Sequence, residues 1–175
     1  MFESRHRLFM TQKVDYSSFF KSFIKENPPI LTQIGNIDPV CPYCDHPLAK
    51  MPSRKVKCPS CKNPIHVIVR PIDEKTVLIK DIQVRTVLVQ RGIKAGYYLD
   101  RIKRIIKTLN NCPCGKWEML MLPDEQKDPS HMCFVDKIII MGSEEEGSAL
   151  RLLCDPYCTC EPLPKIDIPK GNWHD

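Results

Sequence analysis

The spacing of four cysteines constrains this chain more than any other feature. Residues 41–61 read Cys-Pro-Tyr-Cys, thirteen intervening residues, then Cys-Pro-Ser-Cys. Two thiols separated by two residues let one tight turn present both sulfurs to a single ion. Two such pairs supply the tetrahedral four-thiolate set of a zinc site, with Cys41, Cys44, Cys58 and Cys61 as the expected ligands. The spacer is slightly shorter than the usual roughly fifteen to twenty residues, yet it accommodates two short strands and a hairpin. Four protein ligands close the coordination shell and leave no position for a water, which makes such a site structural and not hydrolytic. Metal binding then contributes directly to folding, by about 10–16 kcal/mol in zinc-finger peptides.

The other cysteines are read from the setting of the chain. There are ten in 175 residues. The first residues lack the apolar run of a signal peptide, and no stretch of about eighteen apolar residues offers a membrane span. A reducing, cytoplasmic setting with metal-bound thiolates is therefore expected in preference to a disulfide framework. Charge is distributed unevenly. Residues 1–111 hold 20 Lys/Arg against 9 Asp/Glu, and residues 112–175 hold 6 against 12. The basic part is the candidate surface for a polyanion; an ordinary solvated surface carries such charge too.

Periodicity divides the chain further. Tyr16, Phe19, Phe20, Phe23 and Ile24 lie at helical spacing behind Asp15, a candidate N-cap, and Asn27-Pro28-Pro29 ends the helix. This aromatic stripe suits a core-packing helix, with docking to a partner as the sharper alternative. Residues 1–37 are thus expected to form an N-terminal helix and an extended linker, and residues 38–80 the metal-bearing β module. In that module, residues 64–71 and 76–79 read as strands, with His66 a strand residue and not a ligand. Residues 81–111 form a basic helical segment. Its first part is ambiguous: Ile82, Val84 and Thr86 alternate like a strand, whereas Asp81 as cap and Val84, Val87 and Leu88 favour a helix, the reading we adopt. Its second part places Tyr98, Ile102, Ile105, Ile106 and Leu109 on one helical stripe, with Arg101, Lys103, Arg104 and Lys107 around it.

Residues 112–162 form a second cysteine-rich β module, with strands expected at 116–122, 133–141 and 148–153 and a glutamate-rich hairpin turn at 142–147. A three-strand meander would bring Cys112 and Cys114 to Cys154, Cys158 and Cys160, four of the five binding a second zinc ion; buried or redox-active thiols are the alternative. Cys133, beside His131, reads as a strand core residue. Residues 163–175 are expected to be an extended tail.

The Cys-Pro-x-Cys turns Cys41-Pro42-Tyr43-Cys44 and Cys58-Pro59-Ser60-Cys61, with the strand after the second, resemble the knuckles of the zinc-ribbon superfamily over about residues 38–80. Many knuckles carry glycine after each pair, suited to positive φ, where this chain has Asp45 and Lys62. The resemblance implies a ribbon fold serving transcription, replication or protein docking rather than catalysis. The expected architecture is α+β: a zinc ribbon, amphipathic helices and the second β module.

Catalytic signatures are missing. There is no phosphate-binding glycine loop, no Gly-x-Ser-x-Gly and no His-Glu-x-x-His. His46 follows the first cysteine pair, and the His-x-Glu of a nucleobase deaminase is absent. The favoured function is non-catalytic: nucleic-acid binding, or an accessory role in a nucleic-acid machine. Arg54, Lys55, Lys57, Lys62, Arg101, Lys103, Arg104 and Lys107 are the candidate phosphate contacts, and Tyr43 either stacks a base or covers the thiolates. The alternatives are a protein-interaction adaptor and an enzyme, such as a nuclease, with a dispersed site. Asp124, Asp128 and Asp136 have no recognisable metal-binding spacing. No membrane partner and no small-molecule substrate are evident.

Overall fold

The computed structural model describes residues 14–113, 115–121 and 129–165. The chain divides into two compact units, Pro28–Asp100 and the pair of segments Met1–Asn27 and Arg101–Asp175. Each has its own three-stranded antiparallel sheet, so the fold is α+β, as the sequence predicts.

In the unit Pro28–Asp100, β1 (Val56–Lys57), β2 (Pro64–Val69) and β3 (Thr76–Ile79) pair in that order. Strand residues alternate between faces, so one sheet can serve two cores. Ile65, Val67 and Leu78 pack with Cys41, Cys58 and Tyr43. Ile68, Val77 and Ile79 face the other way, onto Val84 and Val87 of α2 (Val84–Lys94) and onto Ile34. The ambiguous stretch is therefore helical, entered through a 3-10 turn at Asp81–Gln83. Because α2 covers the back of the sheet, the separate segments 38–80 and 81–111 expected from sequence are not the divisions of the fold. The division falls between Asp100 and Arg101, within α3 (Tyr97–Asn110).

The stretch preceding the first knuckle is more than a linker. Asn36 exchanges both backbone hydrogen bonds with Leu78, at 2.9 Å each, adding a bridge to the edge of β3. Gly35 makes this approach possible. Its φ is +85°, and a Cβ there would lie 2.6 Å from Ile79 Cγ2 and 2.8 Å from Leu78 O. Two buried polar side chains pin the same stretch. Arg70 donates to both carboxylate oxygens of Asp73, at 2.8 and 2.6 Å, and to Ile34 O at 3.3 Å. Gln90, with its amide oriented by its hydrogen bonds, accepts from the Thr32 hydroxyl and N–H at 2.6 and 3.1 Å.

In the other unit, α1 (Tyr16–Glu26) starts at Asp15, whose side chain accepts from Ser18 N, as the sequence predicts. Tyr16 and Phe20 are buried and pack on the core, whereas Phe19, Phe23 and Ile24 of the same stripe are half-buried. The sheet has the order β5–β4–β6, with β4 (Lys116–Leu120) between β5 (Ile138–Ile140) and β6 (Glu161–Pro164). Trp117, Met119 and Ile139 point into the core. Pro162 and Pro164 lack ladder donors, and β6 lies at the sheet edge, where proline is tolerated.

The three-strand meander expected here is not found. Residues 148–153 belong to a helix, α5 (Glu144–Leu153), and the glutamates read as a hairpin turn are its first turn. Ser143 caps it, and three acidic residues near the N-terminus favour the helix dipole. Glu146, Ala149, Leu150 and Leu153 form its buried face. Glu146 anchors this core: its Oε1 accepts from Tyr16 Oη at 2.7 Å and Trp117 Nε1 at 3.2 Å, and its Oε2 from Gly142 N at 2.7 Å. Burial and this carboxylate both push the Tyr16 hydroxyl pKa upward. A short helix, α4 (Pro129–Met132), precedes a turn, so only residues 138–140 of the expected strand 133–141 are extended. Cys133 is exposed and is not a core residue. Of the tail, Leu163 and Pro164 belong to β6, and residues 166–175 lie outside the described part.

Candidate metal centre

Each Cys-Pro-x-Cys turn is built by the same hydrogen bonds. In the first, Asp45 N donates to Cys41 O (3.0 Å) and Cys41 N to His46 O (2.9 Å). In the second, Lys62 N donates to Cys58 O (3.1 Å) and Cys58 N to Asn63 O (3.0 Å). The flanking pairs correspond as well: Val40 bridges Pro47, and Lys57 pairs with Pro64. Closing each turn requires a left-handed residue, and Asp45 (φ 56°) and Lys62 (φ 63°) adopt that conformation without being glycine.

The two turns face each other and bring the four sulfurs within 4.8 Å of one another. Cys41 Sγ lies 3.7 Å from Cys61 Sγ, and Cys44 Sγ lies 3.8 Å from Cys58 Sγ. A tetrahedron with metal–sulfur bonds of about 2.3 Å has edges of about 3.8 Å, whereas a disulfide needs about 2.05 Å. The set thus has the dimensions to hold a metal ion.

The protein environment acts oppositely on two of the sulfurs. Burial pushes the Cys41 thiol up to about 12, against the N–H groups of Tyr43 and Cys44. Burial also opposes ionisation of Cys58, but the N–H groups of Cys61 and Ser60, with the Cys41 and Cys61 thiols, hold it down at about 6. A bound cation ionises coordinating thiols through its own charge. Tyr43 packs against the core cluster that includes Cys41 and Cys58, and its hydroxyl accepts from Asp81 N at 2.8 Å. His66 bonds Asp81 Oδ1 at 2.6 Å and stays out of the cluster.

The second cysteine set is assembled differently from the expected one. His131 joins Cys158 and Cys160 in a buried group whose donor atoms lie within 4.8 Å of one another. Neither Cys112 nor Cys154 belongs to that group, and Cys114 lies outside the described residues. Cys112 Sγ donates to Lys116 O at 3.2 Å, and burial pushes the Cys154 thiol up to about 12, opposed by Arg101. His131 has no motif partner near it in sequence; only the tertiary fold brings it to residues 158–160.

The basic candidates fall into two groups. Arg54, Lys55, Lys57 and Lys62 are all exposed on or beside the second turn and β1. Lys55 has a long pairing with Asp81 (3.9 Å), and Lys62 Nζ donates to Pro59 O (2.6 Å). In the other unit Lys103, Arg104 and Lys107 are exposed on α3, Arg104 lying 3.8 Å from Glu161. Arg101 differs from them. Its half-buried guanidinium donates to Leu153 O (3.1 Å), Asp155 O (3.4 Å) and Cys160 O (2.7 Å), so it clamps the loop carrying Cys158 and Cys160 instead of facing solvent. Of the acidic candidates, Asp124 and Asp128 lie outside the described residues, and Asp136 is an exposed turn residue. Among the described residues, no helix is long and apolar enough to cross a membrane. Compared with protein-family models, curated proteins and solved structures, the chain matches none of them.

Proposed function

We propose that the unit Pro28–Asp100 is a zinc-ribbon-type module that binds nucleic-acid phosphates, on its own or as an accessory of a nucleic-acid machine in a reducing, cytoplasmic setting. The observation that carries this reading is the four-sulfur cluster with Arg54, Lys55, Lys57 and Lys62 exposed within nine residues around its second turn. Zinc held by Cys41, Cys44, Cys58 and Cys61 has a closed shell, so its role is to fix the two turns and the basic residues they carry. Residues 28–100 hold 11 Lys/Arg and 6 Asp/Glu. Part of that charge is engaged within the fold, through Arg70 on Asp73 and Lys94 on Glu74. Among the described residues, the four near the second turn have no comparably close acidic partner, the nearest being Asp81, 3.9 Å from Lys55.

Binding to single- and double-stranded nucleic acid across a salt series tests the proposal. Four phosphate contacts on B-form DNA correspond to a slope of log Kobs on log salt of about −3.6, or about 150-fold weaker binding from 50 to 200 mM salt. Replacing Lys55 or Lys57 by Gln lowers the steepness by about 0.9 each. No binding at low salt, or a slope unchanged by all four replacements, removes the reading. A docking module for a protein is the second reading, favoured by Ile82 and Leu88, which are 83% and 54% exposed. Under that reading, replacing these two by Ser abolishes partner binding while the salt slope for nucleic acid is flat.

A further inference from the structure

We infer that His131, Cys158 and Cys160 hold a second zinc ion through mixed nitrogen and sulfur donors, a site separate from the four-sulfur cluster. The inference does not depend on nucleic-acid binding, and it changes the expected ligand chemistry from thiolate alone to imidazole plus thiolate.

Three observations support it. The first is the donor set. Imidazole and thiolate are the two side-chain groups zinc takes most readily, and here they converge within 4.8 Å. Tetrahedral zinc at about 2.05 Å from nitrogen and 2.3 Å from sulfur spaces its ligand atoms about 3.6–3.8 Å apart, inside that limit. The second is burial. His131 is 6% exposed, Cys158 3% and Cys160 0%, so the three groups meet away from water.

The third is the local backbone. Cys160 N–H donates to Cys158 Sγ at 3.4 Å, just as Tyr43 N–H donates to Cys41 Sγ at 3.4 Å in the first cluster. An N–H directed at sulfur favours its ionised, ligating form. Long-range contacts fix the loop in this shape. Arg101 ties the carbonyls of Leu153, Asp155 and Cys160 together, and Cys158 N donates to Asp155 O at 3.1 Å. Arg101 is therefore a positioning residue for the site, acting through the main chain that carries both thiols.

Zinc analysis and X-ray absorption of the full-length chain, purified under reducing conditions, test the inference. Two zinc ions per chain are expected, with imidazole outer-shell scattering beside the sulfur shell. His131→Ala and Cys158→Ser each lower the content to one and His131→Ala removes the imidazole signal, whereas His46→Ala and His66→Ala retain it. Because a variant can fail to fold, the wild-type spectrum is decisive without any substitution: one zinc ion with only sulfur neighbours overturns the site. So does a Cys158–Cys160 disulfide in the purified protein, or two ions retained by His131→Ala. A flat salt slope in the nucleic-acid assay leaves these readouts unchanged, so the two proposals fail separately.

Discussion

Replacing Glu146 tests how the unit containing α1 and α5 is held together. The carboxylate is 2% exposed and accepts from Tyr16 Oη, Trp117 Nε1 and Gly142 N. Glu146→Ala leaves two buried donors, Tyr16 Oη and Trp117 Nε1, without an acceptor, at roughly 1–3 kcal/mol each, and frees the exposed Gly142 N–H to water, partly offset because a buried charge no longer has to be desolvated. A net loss of about 3–5 kcal/mol is expected, a large share of a typical domain's stability. Glu146→Gln retains an oxygen for Tyr16 and Trp117 but turns an NH2 toward Gly142 N–H, and should cost about 1.5–3 kcal/mol. Tyr16→Phe removes one bond, for about 1–2 kcal/mol. Urea unfolding followed by Trp117 fluorescence in a Trp173→Phe background measures all three. The Tyr16–Glu146 double-mutant cycle should give a coupling of about 1 kcal/mol or more. Additivity within about 0.5 kcal/mol, or a Glu146→Ala loss under about 1 kcal/mol, would refute the network as an anchor.

Other perturbations probe separate contacts. Gly35→Ala forces a Cβ against Ile79 and Leu78 at a left-handed φ and should cost about 2–4 kcal/mol in thermal or urea unfolding; a loss under about 0.5 kcal/mol would contradict the close approach. Ser143→Ala removes the cap of α5 and should cost about 1 kcal/mol, with Ser148→Ala as the uncapped control. The Arg70 guanidinium holds the Asp73 carboxyl at about 2, so its contribution is present above the ordinary value of 3.8 and is lost as pH falls toward 2. Carbon-13 titration of Asp73 should show a midpoint well below 3.8 in the wild type and a return toward it in Arg70→Met.

The parts of this fold legible in the sequence are those fixed by short-range geometry. Two Cys-x-x-Cys pairs specify two turns whatever surrounds them, and even the departures at Asp45 and Lys62 adopt the left-handed backbone that glycine more often supplies. Helices α1 and α3 show through their apolar stripes. Helix α5 is hidden by Gly147, which reads as a turn residue, although Ser143-x-x-Glu146 is itself a helix-start signal. Glu146 then uses its side chain for the core instead of capping, something no local pattern encodes. The segment before the first knuckle reads as a linker because it has no periodicity; Gly35 and Asn36 matter only against β3. His131 reads as a residue without a partner motif for the same reason, since its meeting with Cys158 and Cys160 spans more than twenty-five positions and is made by tertiary packing alone.

If the four-sulfur cluster is the staple that lets the unit Pro28–Asp100 fold, removing its metal must loosen the sheet that the two turns bracket. Amide hydrogen exchange of the full-length chain, before and after chelation under reducing conditions, measures this residue by residue. Protection of the β2 and β3 amides, Leu78 N–H on Asn36 O among them, is expected to collapse on chelation and return with zinc. Protection of those amides that is unchanged in the chelated protein would contradict the staple.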